Sequence, residues 1–378
     1  VVLLLVNLLC AVHSLKFLAY SSQMGKSHVN FMSKITDVLV DAGHEVVMLS
    51  PVMDTTIGGP MTKKARVIEI PQCEHAADFE KFVHEEMSAN VWLQNPIGIF
   101  FVSFHLFLLL FTSCSGVVAH PGLIEQLKAE RFDAAFGESY DACGPVVFHL
   151  AGIDKWAVTE SIAVRDGGFF VTQTPGNPAY VPSLMMGSTE RMGFFGRLSN
   201  VFSYVFIDYF MEWHYPAMEE YLRAIVPDLP SIKEIIATNS LVFLNSEPLV
   251  DFPKITSARI IDFGGITVSA GSLPLNKTWS DILDLRPRTI LISFGTVARA
   301  HKMPDAYKET IREAVKQFPS VTFIWKYEKP EDNISAGIPN LIESTWVPQR
   351  DMLHDPRLSA FITHCGQGST TESIDAGQ

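Results

Sequence analysis

The sequence predicts an α/β fold in two parts, each built around a parallel sheet. Strand-like apolar segments alternate with amphipathic helices from the start of the chain. A segment bearing Gly, Ser and Pro then interrupts the pattern at residues 267–284, and a second alternation follows it. Strands that alternate with helices pair in parallel, because each crossover helix returns the chain to the same edge of the sheet.

The first part opens with a βαβ unit. Residues 15–21 are a predicted strand, and residues 27–42 are a predicted helix whose apolar side chains share one broad face. Gly43 ends that helix, and residues 44–50 are the second predicted strand. The unit therefore predicts the first two strands of a parallel sheet.

An uncharged segment follows at residues 91–118, with an almost wholly apolar centre at 97–111. That centre is at the short limit for a membrane-spanning helix. Pro96 at its start and His105 inside it favour a buried or interfacial helix over a span. We therefore expect the first domain to contact a membrane surface.

The remaining elements continue the alternation. They comprise a strand at 132–136, a helix that starts at 145–151, and a new sheet from 289–294.

Composition limits the class of protein. The 378 residues suggest two or three domains, and 47% hydrophobic with 19% charged residues is apolar for a soluble enzyme. A net charge of −12 argues against nucleic acid as a partner, since phosphate backbones require a basic surface. Five cysteines are too few and too scattered to predict a disulfide framework, and no Cys/His spacing indicates zinc.

The N-terminal residues resemble a targeting segment. Residues 1–12 are apolar, and residues 12–14 fit a small-residue cleavage site, so we interpret 1–14 as a partial signal peptide. A buried first strand is the alternative. Entry into the secretory pathway would make Asn276 and Asn333, both in Asn-x-Ser/Thr sequons, candidate glycosylation sites.

The last residues predict an anion site. The apolar run at 360–363 suits a buried strand, and it is followed by His364, Gly366 and Gly368. The helix predicted to start at Ser369 presents free backbone amides, which bind phosphate with help from the helix dipole. The two glycines let the backbone approach the phosphates, and His364 can donate a hydrogen bond to them.

Three nearby side chains suit the rest of a nucleotide. Trp346 offers a flat face for a base, Gln349 offers an amide for the base edge or the ribose, and Glu372 can accept from ribose hydroxyls. The spacing from Trp346 to Glu372, with the run PRLSAFITHCGQGSTTESIDAG, resembles the donor signature of the UDP-glycosyltransferases, in their animal UDP-glucuronosyltransferase-type branch.

The resemblance covers most of the chain and implies the glycosyltransferase B fold, which has two Rossmann-like domains. Residues 15–266 would form the acceptor-binding domain, and residues 285–378 the UDP-sugar-binding domain. Members of the family continue beyond the position of Gln378, so we expect the second domain to be truncated. In full length, the family implies the lumenal side of the endoplasmic reticulum membrane.

The family also implies a catalytic base. Its Ser-His pair before the first helix matches Ser27-His28, and its acid, an Asp in the family, falls on Glu138. A carboxylate that orients a His base stabilises the imidazolium formed during catalysis. Asp133 and Asp141 are alternative acids in this chain.

The loop at Gly295 and Thr296 resembles the family segment that touches the diphosphate and the sugar. No Asp-x-Asp pair suited to a metal is present, so we expect UDP-sugar as co-substrate and no metal or other cofactor. The predicted reaction is inverting transfer, with His28 deprotonating the acceptor hydroxyl.

The donor sugar and the acceptor stay open at this point. Glucuronate is favoured by resemblance to the animal branch, UDP-glucose is an alternative, and the acceptor is expected to be small and lipophilic. A catalytically incomplete UDP-binding chain is a further alternative. A dinucleotide-dependent oxidoreductase is disfavoured, because no Gly-x-Gly-x-x-Gly follows the first strand.

Overall fold

The computed structural model describes residues 14–93, 96–140, 142–162, 169–183, 189, 191–268 and 272–378. The chain forms two compact units. The first contains the chain up to Glu80 together with Phe107–Gly264, and the second contains Lys81–Leu106 and Gly265–Gln378. The predicted signal peptide, apart from Ser14, and the alternative acid Asp141 lie outside the described residues.

The first unit holds a seven-stranded sheet in which every neighbouring pair is parallel, in the order β3-β2-β1-β4-β5-β6-β7. The strands are β1 (Lys16–Tyr20), β2 (Glu45–Pro51), β3 (Arg66–Ile70), β4 (Ala134–Gly137), β5 (Trp156–Glu160), β6 (Leu241–Leu244) and β7 (Ile260–Asp262). The chain runs outward from β1 to β3 and then returns to β4 on the other side of β1. A topological switch point therefore lies between β1 and β4, where open α/β sheets bind ligands.

The helices are α1 (Lys26–Asp41), α2 (Glu74–Phe82), α3 (Pro96–Val118), α4 (Leu123–Glu130), α5 (Cys143–Leu150), α6 (Phe169–Thr172), α7 (Phe194–Arg223), α8 (Ile232–Ala237), α9 (Lys277–Leu283), α10 (Asp305–Lys316), α11 (Gln349–Leu353) and α12 (Gln367–Ala376). Short helical turns occupy Thr55–Ile57, Val83–Met87, Ser88–Asn90, Ala300–Lys302 and Pro330–Asp332. The apolar face of α1 is buried through Val29, Phe31 and Met32, as its periodicity predicts.

Helix α3 is longer than the predicted apolar centre at 97–111, because it continues through small and hydroxyl-bearing residues to Val118. Its part Phe101–Val118 is long and apolar enough to cross a membrane, yet 44% of that part is buried within the protein. A disulfide between Cys114 and Cys143 joins α3 to α5. The cysteine count did not predict this bond, since 29 residues separate the two partners and only the fold brings them together.

The second unit holds a four-stranded parallel sheet in the order β10-β9-β8-β11. The strands are β8 (Arg288–Ser293), β9 (Val321–Lys326), β10 (Leu341–Ser344) and β11 (Leu358–Thr363). Alternate strand residues belong to two buried clusters, with Trp325 in one and Ile324 in the other, because successive side chains point to opposite faces. The switch point of this sheet lies between β8 and β11.

The run at 360–363 forms β11 as predicted, but it is less buried than expected, since Ile362 is 46% exposed. The segment at 267–284, predicted as a linker, contains α9. Its first turn is capped by Asn276, whose side-chain oxygen accepts from the Trp279 amide.

Candidate functional site

The predicted site residues gather at two switch points, one in each sheet. His28 follows β1 and Glu138 directly follows β4, the two strands that flank the first switch point. Gly295 follows β8 and His364 follows β11, the two strands that flank the second. The carboxyl ends of parallel strands therefore present each group at a position where such sheets bind ligands.

His28 and Glu138 contact each other directly. His28 lies in the first turn of α1, near the predicted start of that helix. Its Nδ1 atom is 2.9 Å and 3.0 Å from the two carboxylate oxygens of Glu138. Only 22% of the His28 side chain and 9% of the Glu138 side chain are exposed. The pair is thus formed in the protein itself and is largely shielded from water.

Glu138 is ionised in this environment. Burial by itself would raise the pKa of the carboxyl group, but the adjacent His28 and hydrogen bonds from His28 and Ser161 outweigh burial and hold the pKa below its usual value. An ionised carboxylate accepts the Nδ1 proton of the imidazole, which leaves the ring lone pair on Nε2. That is the tautomer a general base requires.

Asp133, an alternative acid in the sequence, lies where the strands of the sheet begin, at the opposite end of the strands from Glu138. Its carboxylate accepts from the backbone amide of Lys16, at 2.7 Å, and its own amide donates to the Lys16 carbonyl. Lys16 is the first residue of β1, so this contact is at the amino ends of the strands. Asp133 therefore fixes the start of β1 and does not contact His28.

Ser161 is a site residue that the sequence analysis missed. Its backbone amide donates to Glu138 Oε1 at 3.1 Å, and its Oγ lies 3.0 Å from His28 Nδ1. Ser161 directly follows β5, the strand next to β4. A hydroxyl residue at the end of an apolar strand was the available signal, because such residues meet at one edge of a parallel sheet.

A small, partly open recess lies beside Glu138. The Tyr140 ring meets the His28 ring edge-on, with centroids 5.0 Å apart and an interplanar angle of 82°. The recess is lined by Tyr20, Ser21, Ser22, Met24, Glu138 and Tyr140.

The residues predicted to form a phosphate cradle lie at the second switch point, with one difference from the sequence prediction. Helix α12 begins at Gln367 with Gly366 as its N-cap, two residues before the predicted start at Ser369. Ser369 is therefore inside the first turn and does not cap it. Its hydroxyl instead accepts from Gln349 Nε2 at 3.1 Å.

The residues predicted for the nucleoside are partly linked to one another. Gln349 Nε2 also donates to Glu372 Oε2 at 2.8 Å, so one amide joins α11 to α12. Burial raises the pKa of Glu372, and the hydrogen bond from Gln349 only partly offsets it. Trp346 is 57% exposed and makes a broad apolar surface available.

His364 packs against two glycines. A Cβ atom added at Gly366 would lie 2.5 Å from His364 Nε2, and one at Gly295 would lie 2.7 Å from His364 Cε1. Gly295 also has a left-handed φ of 79°. At Gly368, by contrast, a Cβ would meet no atom within 4 Å. Gly295 and Gly366 thus make room for the imidazole, while Gly368 and the exposed Thr296 border open space.

Lys326 is a second residue that the sequence analysis missed. It ends β9, is 7% exposed, and donates through Nζ to the Gly295 carbonyl at 2.8 Å and to Glu328 at 3.0 Å. Desolvation, and then the charge of Lys326, lower the pKa of His364. A charged residue at the end of an apolar strand was the signal for it.

Comparisons with known proteins agree with this arrangement. The sequence model of the family "UDP-glucoronosyl and UDP-glucosyl transferase" matches residues 16–378. A Caenorhabditis elegans protein named "Putative UDP-glucuronosyltransferase ugt-48" is 29% identical over 383 residues, which is 96% of this chain and 70% of that protein. UDP-glucuronosyltransferase 1A8 of Rattus norvegicus is 26% identical over 366 residues, or 94% of this chain and 66% of its own.

Solved structures show the same fold. Arabidopsis thaliana UGT89C1 complexed with UDP-L-rhamnose has a TM-score of 0.55 at 14% identity, covering 97% of this chain and 78% of its own. The glycotransferase of kitacinnamycin has a TM-score of 0.59 at 15% identity, covering 97% of this chain and 79% of its own. The prediction of a glycosyltransferase B fold is therefore confirmed.

The sequence analysis compared a UDP-glycosyltransferase with a dinucleotide-dependent oxidoreductase. The family match supports the glycosyltransferase. The chain belongs to the family of UDP-glucuronosyl and UDP-glucosyl transferases, which move a sugar from a UDP-sugar donor.

Proposed function

We propose that the protein transfers a glycosyl group, with glucuronate favoured, from a UDP-sugar to a hydroxyl group of a small lipophilic acceptor. The transfer inverts the anomeric carbon, and His28 is the general base. The observation that carries this proposal is the contact between His28 Nδ1 and the buried carboxylate of Glu138 at 2.9 Å. A His oriented by a carboxylate at a sheet switch point is the arrangement that proton abstraction from a hydroxyl needs.

The chemical step follows from the tautomer of His28. Nε2 takes the proton of the acceptor hydroxyl while the acceptor oxygen forms a bond to the anomeric carbon. The bond from that carbon to the diphosphate oxygen breaks, and its electron pair leaves with UDP. Glu138 stabilises the imidazolium formed, and the amides at the start of α12 with His364 take the charge that develops on the diphosphate.

The nucleoside of the donor is assigned to the residues around α11. Trp346 stacks on the uracil, Gln349 binds the base edge or the ribose, and Glu372 accepts from the ribose hydroxyls. Glucuronate is favoured over glucose as the sugar because relatives at 26–29% identity are named as glucuronosyltransferases. Competition between UDP-glucuronate and UDP-glucose in the transfer assay decides between them.

The test of the reaction is His28→Ala, in protein made from the complete coding sequence. General bases contribute about 10²–10⁴ in rate, so kcat should fall by that factor while the affinity for UDP stays at the parent value. Transfer at the parent rate by His28→Ala would remove His28 from the mechanism. Binding of UDP without any transfer by the parent protein would instead support the catalytically incomplete alternative.

A membrane surface is the proposed location, at the lumenal side of the endoplasmic reticulum in the full-length protein. Helix α7 exposes aromatic rings at Phe195, Phe202, Tyr209 and Trp213, each at least 54% exposed. These positions recur at seven- and four-residue intervals and so share one face of the helix. Co-sedimentation with phospholipid vesicles, lost in a variant with polar residues at these four positions, tests this location. Equal sedimentation of that variant and the parent would contradict it.

A further inference from the structure

We propose that Ser161 is a positioning residue for the general base: it holds the ionised Glu138 carboxylate in place against His28. The inference rests on the proposed function, in which His28 takes the acceptor proton. It adds a third side chain to a pair of residues, and it assigns to that side chain a role that does not require contact with the acceptor.

Two contacts place Ser161 between the members of the pair. Its backbone amide donates to Glu138 Oε1 at 3.1 Å, and its Oγ lies 3.0 Å from His28 Nδ1. Ser161 is 8% exposed and Glu138 is 7% exposed, so water has little access to these bonds. The hydroxyl is within reach of both His28 and Glu138.

The turn that carries Ser161 is itself fixed from the neighbouring strand. Asn245, which follows β6 and is 2% exposed, donates through Nδ2 to the Ser161 carbonyl at 2.9 Å. Its backbone amide donates to the carbonyl of Glu160 at 2.9 Å. Because the peptide before Ser161 is held in this way, the Ser161 amide keeps its direction toward Glu138.

These bonds have a chemical consequence for the base. A buried carboxylate without donors would take up a proton, and protonated Glu138 would no longer accept from Nδ1. Donors from Ser161 keep Glu138 ionised and fix the plane of its carboxylate. The carboxylate then fixes the imidazole tautomer, so that the lone pair stays on Nε2 for the acceptor proton.

The test compares Ser161→Ala with Ser161→Thr. Alanine keeps the backbone amide but removes the hydroxyl, and threonine keeps both. A hydrogen bond to a charged group is worth about a tenfold change in an equilibrium, so kcat should fall about tenfold in Ser161→Ala and recover to within about threefold in Ser161→Thr. KM for the UDP-sugar should not change.

A pH profile separates positioning from a merely structural role. In Ser161→Ala the pKa of Glu138 should rise, so the acidic limb of kcat/KM should move to higher pH. The His28 ring, which then loses part of its anionic neighbour, should titrate at lower pH when followed by NMR in the ligand-free protein. The matched control is Ser33→Ala. Ser33 is a 2% exposed serine on α1 whose hydroxyl accepts from the Met61 amide at 3.0 Å, so it also loses one buried bond.

The outcomes are distinct. Parent kcat and a parent His28 titration in Ser161→Ala would overturn the inference, while an inactive His28→Ala protein would still support the proposed function. Equal losses in Ser161→Ala, Ser161→Thr and Ser33→Ala would also overturn it, since they would report stability alone. A shift confined to Ser161→Ala supports it.

Discussion

The two switch points of the protein carry similar residue types but differ in how far their side chains are hydrogen-bonded and buried. At the first, His28, Glu138 and Ser161 are joined by hydrogen bonds, and Glu138 is 7% exposed. At the second, Trp346 is 57% exposed, and space adjoins Gly368. One site is complete within the protein, and the other offers groups to a ligand.

This difference matches the proposed roles of the two sites. A general base works only in one tautomer and one orientation, so its partners must be in place before the acceptor arrives. A phosphate cradle works through amides that the ligand itself satisfies, so these must stay open until the ligand binds. Substitutions at the first switch point should therefore act on turnover, and substitutions at the second should act on donor affinity.

After His28→Ala, the largest effect is expected for Glu138→Gln. Glutamine keeps the size of the side chain but removes the charge that orients His28 and stabilises its imidazolium. We expect kcat to fall about 10²–10³-fold, while the dissociation constant for UDP, measured by calorimetry, stays unchanged. The kcat of Glu138→Asp should lie between those of the parent and Glu138→Gln, because aspartate keeps the charge on a side chain one methylene shorter.

Asp133→Asn is the matched control for this prediction. It removes a carboxylate of the same sheet whose contact, the Lys16 amide, is at the opposite edge. It should keep the parent kcat. If Glu138→Gln turned over as fast as Asp133→Asn, the orientation of His28 by a carboxylate would play no part in the reaction.

Sequence reasoning singled out Glu138 and His364, which directly follow strands, and His28, which lies in the first turn of the helix after β1. Their residue types and spacing are local features, and the family resemblance rests on the same features. Ser161 was not predictable in this way, because its role depends on β5 lying beside β4, 23 residues beyond Glu138. Lys326 likewise acts on Gly295 only because β9 lies beside β8.

The burial of individual strand residues was also not predictable from the sequence. The apolar run at 360–363 has the composition of an interior strand, yet Ile362 is 46% exposed. Strand order depends on tertiary packing and not on local composition. The pairing of Cys114 with Cys143 depends on the packing of α3 against α5 in the same way.

A smaller effect, on donor affinity, is expected for Gly366→Ala. The new Cβ would lie 2.5 Å from His364 Nε2, so the imidazole must move away from the cradle. We expect UDP to bind about tenfold more weakly and the protein to melt at a lower temperature, as overpacking generally costs about 1–3 kcal/mol.

Gly368→Ala separates a clash with the ligand from a clash within the protein, because its Cβ meets no protein atom within 4 Å. The ligand-free protein should melt at or above the parent temperature, since alanine favours a helix. Weaker UDP binding by this variant would then mark the space beside Gly368 as space that the diphosphate fills. Parent affinity in both variants would place the diphosphate elsewhere.

The smallest effect concerns pH and His364. Its pKa lies below the usual value in the ligand-free protein, so the imidazole is neutral at pH 7. A bound diphosphate favours the charged imidazolium, which means that binding takes up a proton and becomes tighter as pH falls. UDP-glucose is the suitable probe, because its diphosphate is esterified at both ends and has no proton of its own to titrate near neutral pH. The affinity for UDP-glucose should rise about threefold as pH falls from 7.5 to below about 6, with the gain concentrated beneath the ordinary His pKa of about 6.5.

In His364→Gln this gain in affinity should vanish, while any change caused by Glu372, whose pKa is raised by burial, should remain. An identical pH dependence in the parent and His364→Gln would show that His364 does not touch the diphosphate, and the open character of the second switch point would then rest on the α12 amides alone.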